Sequence, residues 1–146
     1  MATYSGTREN GNAEVSVDGA LLPPRNDLKN HSPDGCEWGY VGSGPAQLAL
    51  AVLCHHFSAV GDGRQLADVK ALALYQEFKA KLIVTLPQEG WLVDSHIVAD
   101  TVSMVIKENA KRYFEQAMRL ELDNQSLNRE LSECYDLLGD AEAGAR

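Results

Sequence analysis

The longest hydrophobic pattern of the chain lies in its C-terminal third, where apolar or small side chains recur at alternating steps of four and three residues. This spacing is the heptad repeat of a coiled coil. The positions, called the seam below, are Ile106, Ala110, Tyr113, Ala117, Leu120, Asn124, Leu127, Leu131, Cys134 and Leu138. Asp94 or Ser95 can cap the start of the helix, and Gly139 is the first obvious breaker. The pattern predicts one helix over residues 95–139.

Three features of this helix predict association between copies of the chain. A helix of this extent is roughly 65 Å long, which is more than a domain of this size can cover. Asn124 places a polar side chain on the seam, a device that fixes register and oligomer state. Basic residues come early and acidic residues late: Lys111, Arg112 and Arg119, then Glu130, Glu133 and Asp136. An antiparallel neighbour neutralises this gradient more easily, although a parallel pair is compatible with it. We expect a homo-oligomer, specifically a dimer, and the alternative is a helix that packs on its own domain.

The first 30 residues show the alternation of β-strands. Strands are predicted over 3–8 and 13–17, and the Asn10-Gly11 turn between them is typical of a β-hairpin. A second tight turn at Asp18-Gly19 leads to a short third strand over 20–22. These elements predict a small antiparallel sheet.

The middle of the chain carries two helical patterns. The first helix is predicted over 46–57, with Ser43 or Gly44 as its cap and Pro45 in its first turn. The second is predicted over 66–84, with its inner face formed by Leu66, Val69, Ala73 or Leu72, Phe78 and Leu82. Residues 37–41 are expected to form a short aromatic strand or an extended segment, and residues 91–93 a strand or a docking loop.

These elements predict an α+β fold, with a small antiparallel sheet packed on two helices and a long C-terminal coiled-coil helix. The expected division is a compact domain over 1–94, an oligomerisation helix over 95–139 and a disordered tail over 140–146.

Charge narrows the range of partners. The 146 residues include 13 Lys and Arg against 21 Asp and Glu, which gives a formal net charge of −8. Nucleic acids select clustered basic residues, so direct nucleic-acid binding is not expected. Solubility is the simpler explanation of an acidic surface, and attraction to a basic partner protein is the alternative. The sequence shows no signal peptide and no apolar run of the roughly 18 residues that span a membrane. It contains three cysteines, an odd number that cannot all pair within one chain. We therefore expect no membrane partner, reduced thiols and a cytoplasmic location.

The glycine-rich turn before the first helix is the best candidate for a small ligand. Amides at a helix N-terminus attract anions, and aromatic side chains precede this turn. The candidate residues are Trp38, Tyr40, Ser43, Gly44 and Gln47. The turn lacks the third glycine of a dinucleotide fingerprint, the lysine of a P-loop and the pattern of a nucleophile elbow. A tight turn with a helix cap is the simpler interpretation of this segment.

Recognised metal and catalytic patterns are missing from the sequence. His55 and His56 are adjacent, so on a helix they point about 100° apart and chelate one ion poorly. Neither a Cys-x-x-Cys pair nor a His-Glu-x-x-His motif occurs. We expect no cofactor, no metal and no enzymatic activity.

Three blocks of the sequence resemble a known family. They are the Tyr4–Arg8 segment, the Val15–Leu28 segment and the Glu37–Leu53 segment with its Trp-Gly-Tyr and Gln-Leu-Ala-Leu motifs, and the likeness continues through Tyr75–Lys79, Leu86-Pro87 and Trp91. They are similar to a family of small prokaryotic and phage proteins, domain of unknown function 6166, over about residues 3–100. The resemblance implies a compact α+β domain and a prokaryotic or viral source. The long C-terminal helix departs from the family pattern.

The sequence therefore favours a non-catalytic, oligomeric interaction protein. For a phage or mobile-element gene, the expected role is to inhibit or regulate a host protein, such as a defence effector. The alternative is a protein that binds a nucleotide or second messenger at the Gly42–Gln47 turn.

Overall fold

The computed structural model describes residues 1–144, with side chains described through residue 136. The side chain of the seam position Leu138 lies outside the described side chains. The last helix extends through Gly144, beyond the predicted end at Gly139, and residues 145 and 146 of the predicted tail lie outside the described residues. The chain divides into a compact unit, Met1–Ile106, and a second unit from Lys107 onward.

A four-stranded antiparallel sheet with the order β3-β2-β1-β4 forms one layer of the compact unit. Its strands are β1 (Thr3–Glu9), β2 (Asn12–Val17), β3 (Ala20–Leu21) and β4 (Trp91–Asp94). The turns between the first three strands are the predicted ones, because Asn10-Gly11 and Asp18-Gly19 both have positive φ at their two central residues. β4 comes from the far end of the unit and pairs with β1 from Thr3↔Asp94 to Gly6↔Trp91.

Three α-helices complete the α+β fold. They are α1 (Ser43–Ala59), α2 (Arg64–Lys81) and α3 (Ser95–Gly144), and a 3-10 turn over Ile83–Thr85 follows α2. The cap of α3 is Asp94, whose carboxylate oxygen accepts hydrogen bonds from the amides of His96 and Ile97 at 2.9 and 3.1 Å. In its first turns, Val98, Val102 and Val105 are buried at helical spacing.

The first helix is buried on nearly all sides. α1 contains no Asp, Glu, Lys or Arg, and every residue from Gly44 to Cys54 is buried. The helix begins at Ser43, and Gly42 occupies the cap position without a side-chain hydrogen bond, so the predicted cap at Ser43 or Gly44 is wrong. One continuous core joins α1 to the inner face of the sheet, to α2 and to the start of α3.

The sequence predicts the inner face of the second helix only in part: Phe78 is buried as predicted, but most of the predicted inner residues are exposed. Its buried residues are Ala67, Ala71, Tyr75 and Phe78. The predicted inner residues Leu66 and Val69 are 50% and 59% exposed. α1 and α2 pack against each other, and the two buried alanines occupy the inner side where larger aliphatic side chains were expected. The helix also ends at Lys81 rather than at residue 84.

Gly6 lies against the side chain of Trp91 on the neighbouring strand, and only a glycine leaves room for this contact. An added Cβ at Gly6 would lie 2.2 Å from Nε1 and 2.5 Å from Cε2 of the Trp91 side chain on the neighbouring strand. Trp91 is 9% exposed and meets the ring of Trp38 edge to face, with 5.7 Å between centroids. The indole of Trp91 therefore fills the space that a side chain at residue 6 would need.

We expect Gly6→Ala to lower the free energy of unfolding by roughly 2 kcal/mol, because the new methyl group overpacks the core. Urea denaturation of the full chain measures the change. The matched control is Gly63→Ala, because an added Cβ there has no heavy atom within 4 Å and φ is −62°. Equal midpoints for the Gly6 variant and the unmodified chain would contradict the packing argument.

Candidate functional site

The predicted ligand turn at the start of α1 is filled by side chains of the segment before it. An added Cβ at Gly42 would lie 2.7 Å from the Tyr40 ring, and one at Gly44 would lie 2.5 Å from Cβ of Glu37. The two glycines thus make room for Tyr40 and Glu37 over the helix N-terminus. Tyr40 and Ser43 are exposed, whereas Gly44 is buried.

Trp38, another of the predicted ligand residues, lies in the core. It is 0% exposed, and its indole Nε1 donates a hydrogen bond to the carbonyl of Pro87 at 2.9 Å. The guanidinium of Arg8 lies 4.4 Å from the ring centroid and donates to both carboxylate oxygens of Glu37, at 3.1 and 2.7 Å. Arg8 also donates to the carbonyl of Gln88 at 2.7 Å. These contacts fasten the aromatic segment to β1 and to the turn before β4.

The fifth candidate residue, Gln47, is engaged by the backbone of the long loop between β3 and α1. Its side chain is 0% exposed, its Oε1 accepts from the amides of His31 and Ser32 at 2.9 and 3.3 Å, and its Nε2 donates to the carbonyl of Pro24. His31 in turn is hydrogen-bonded through Nε2 to the hydroxyl of Tyr75 on α2, at 2.7 Å. The structure therefore brings Tyr40 and Gly44 together, but Trp38 and Gln47 face partners within the fold.

A cleft of about 500 Å³ lies beside the same loop. Its lining includes Arg25, Asp27, Cys54, His55 and Arg64. Burial raises the pKa of the Cys54 thiol to about 11, so this cysteine is protonated near neutral pH and is a poor nucleophile. A reactive-thiol chemistry in this cleft is therefore disfavoured.

Arg25 holds the loop to α2 from the edge of this cleft. Its backbone has φ +59°, a left-handed conformation that is uncommon for a residue with a side chain. Its guanidinium donates to both carboxylate oxygens of Asp68, at 2.9 and 3.0 Å, and to both of Asp27, at 3.0 and 3.1 Å. The hydrogen bonds from Arg25 lower the pKa of Asp68 and of Asp27 below their usual values. The strained loop is thus held by a bidentate ion pair, which accounts for these polar groups without a ligand.

Another cleft, of about 450 Å³, is also lined in part by His55. The hydroxyl of the buried Tyr4 is hydrogen-bonded to Nδ1 of His55 at 2.8 Å, and burial raises the pKa of Tyr4 to about 12. The neighbouring His56 is buried, and burial lowers its pKa. Among the described residues, no group of three His, Cys, Asp or Glu side chains is placed to hold a metal ion.

The seam is exposed wherever its side chains are described. Its larger members are each about half exposed or more: Ile106 49%, Tyr113 72%, Leu120 64%, Leu127 55% and Leu131 53%. The remaining described members are also exposed: Ala110, Ala117, Asn124 and Cys134. In the described part of the chain, no helix is long and apolar enough to cross a membrane.

Sequence reasoning missed the polar residues that fasten the loop and the aromatic segment. No local sequence motif marks Arg8, Arg25 or Asp68. Each of them binds a partner at least 29 residues away in the sequence. The Pro23-Pro24 pair before Arg25 signals a constrained loop, but it does not say which acid the arginine reaches.

The comparison with known protein families gives a match over most of the compact unit. The model of a family of unknown function, DUF6166, matches residues 4–104. No curated protein and no solved structure matches the chain. The matched residues cover the sheet, α1, α2 and the first turns of α3, and every seam position follows them.

We expect Asp68→Asn to lower the free energy of unfolding by about 2 kcal/mol at neutral pH, because it leaves the charged Arg25 without one carboxylate. The pKa of Asp68 is lower in the folded chain than its usual value, so its contribution is present above that value and is lost as the pH falls through the folded pKa. The difference between the variant and the unmodified chain should therefore shrink in acid.

Urea denaturation over a pH series measures this difference. Asp100→Asn, at an exposed position of α3, is the control and should have little effect. A cost for Asp68→Asn that stays constant down to strong acid would show that the ion pair is not its source.

Proposed function

The chain belongs to DUF6166, a family of unknown function, and we propose that it is a non-catalytic interaction protein that forms homo-oligomers through the seam of α3. The observation that carries the proposal is the exposure of the seam from Ile106 to Cys134 in a single chain. Burying a leucine side chain is worth about 1.5–3 kcal/mol relative to leaving it in water. A row of such side chains on a long helix is therefore strongly stabilised by a second helix.

Charge supports a second copy of the chain as the occupant of the seam, in the antiparallel orientation. Residues 107–119 contain four basic and two acidic residues, whereas residues 120–136 contain one basic and five acidic residues. A parallel, in-register pair sets the acidic half beside its copy, and an antiparallel pair sets it beside the basic half. The antiparallel pair is favoured for this reason.

Side-chain size along the seam supports the same orientation. Centring the antiparallel pair on residue 122 places Ala117 opposite Leu127, and Tyr113 opposite Leu131. The small Ala117 then faces a large leucine, which fills that layer of the interface more evenly than alanine against alanine. Leu120 and Asn124 form the two central layers of this arrangement.

The interaction with a host protein stays a prediction. It depends on the net charge of −8, which favours basic partners by long-range attraction. An oligomer multiplies that charge and presents several copies of each surface to a partner.

We expect Leu127→Glu to reduce the molar mass of the full chain in solution by half or more, because it places a charge inside the seam interface. Light scattering coupled to size exclusion measures the mass, and circular dichroism checks that the fold is retained. Leu122→Glu is the matched control, because this leucine is 62% exposed, against 55% for Leu127, and lies on the opposite side of the helix from the seam. An unchanged mass for Leu127→Glu would refute assembly through the seam.

We expect the oligomer to form no disulfide between two Cys134 residues under mild oxidation. In the antiparallel pair centred on residue 122, Cys134 faces Ala110, and the two Cys134 residues are roughly 36 Å apart along the axis. Ala110→Cys should create a cross-link to Cys134 of the other copy, seen as a covalent dimer on a non-reducing gel. A covalent dimer through Cys134 in the unmodified chain would instead establish the parallel orientation.

A further inference from the structure

α2 presents a wide uncharged face to solvent, on the side away from the core. The face, called the α2 face below, consists of Gln65, Leu66, Val69, Leu72, Ala73, Gln76 and Ala80, all of them exposed. At 3.6 residues per turn these seven positions fall within about 120° of the helix surface. The opposite side of the same helix carries the buried residues that pack on the core. The fold of a single chain therefore leaves the α2 face unused.

The spacing on the α2 face is that of a helix that packs lengthwise on another helix. Residues 66, 69, 73, 76 and 80 follow one another at steps of three and four, as the seam does. Leu66, Val69 and Leu72 are 50%, 59% and 38% exposed, although isolated exposed aliphatic residues are more usual on a solvated helix.

The charges that border the α2 face are self-complementary. Lys70 and Glu77 lie on one border, and Asp68 and Lys79 lie on the other. Each border thus carries one acid and one base, so the same face of a second copy offers an opposite charge to each border. Lys70 already pairs with Asp62, and Asp68 with Arg25, so these borders contribute more to orientation than to affinity. A uniformly acidic or basic partner would find one like charge on each border.

We propose that the α2 face is a second interface between copies of this chain, related by a two-fold axis and separate from the seam. α2 lies within the residues that the family model matches, whereas the seam follows them. Four helical turns bury less area than a standard stable interface, so this contact exchanges more readily than the seam contact.

Two different two-fold interfaces on one chain build an assembly larger than a dimer. Each copy then binds one neighbour through the seam and another through the α2 face, which gives a closed tetramer or a longer row. Four copies or more are expected at high protein concentration, where the weaker contact is filled.

The test is a comparison of four full-length chains by sedimentation or light scattering over a range of concentrations. They are the unmodified chain, Val69→Lys, Leu127→Glu and the double variant. The expected masses at high concentration are four copies or more, two, two and one, respectively. Val60→Lys is the matched control and should behave as the unmodified chain, since Val60 is 65% exposed and lies outside α2. Ala73→Glu is a second variant of the face and should reproduce Val69→Lys.

The proposal is overturned if the unmodified chain stays at two copies and Val69→Lys leaves it so, or if Leu127→Glu alone gives a monomer at every concentration. It is also overturned if Val60→Lys lowers the mass as much as Val69→Lys does. The seam proposal fails separately, if Leu127→Glu leaves the mass of the unmodified chain unchanged while Val69→Lys halves it.

Discussion

The fold depends on keeping one uncharged helix out of water on all sides. The eleven residues of α1 from Gly44 to Cys54 are all buried, so the helix needs a cover on every face. The sheet, α2 and the first turns of α3 supply regular cover, and the loop between β3 and α1 supplies the rest. Because loops carry unpaired backbone groups, this cover is stable only where side chains hold it.

Polar clamps hold the irregular part of the cover in place. Gln47 binds the backbone of the loop from inside, and Arg25 ties the same loop to Asp68 on α2. Arg8 and Glu37 fix the aromatic segment over Trp38. Two of the residues that resemble a ligand site in the sequence, Trp38 and Gln47, therefore stabilise the fold with their hydrogen bonds. Among the described residues, apolar faces of α2 and α3 stay exposed, and our proposal of association between chains is based on them.

Local patterns were sufficient to predict the hairpin, the three helices and the α+β class. The two Asx-Gly turns and the strand alternation are signals of adjacent residues, and the structure confirms them. The inner face of α2 was predicted correctly at Phe78 and wrongly at Leu66 and Val69, because both sides of this helix are apolar. Size favours Leu66 and Val69 for the core, but Ala67 and Ala71 occupy it. Which side faces α1 is decided by packing between helices, and one helix pattern does not contain that information.

The candidate ligand residues illustrate the same limit. Trp38, Tyr40 and Gln47 attracted attention because aromatic and amide side chains precede and enter a helix. The partners of Trp38 and Gln47 are carbonyl and amide groups of residues 24, 31, 32 and 87, and no local motif indicates such distant backbone contacts. The exposure of the seam, in contrast, could be predicted, because the heptad pattern in the sequence is longer than a single compact unit can cover.

The pairing of β1 with β4 has a consequence for the order in which the molecule folds. The hairpin of β1 and β2 and the pair of α1 and α2 join neighbouring parts of the chain, whereas Thr3 and Asp94 meet across nearly the whole compact unit. Closing so long a loop is slow compared with forming a hairpin. Until β4 arrives, the free edge of β1 is an unsatisfied row of amides and carbonyls that any extended segment can occupy. The last residue of β4, Asp94, also caps α3, so the step that seals this edge also fixes the first turn of the long helix.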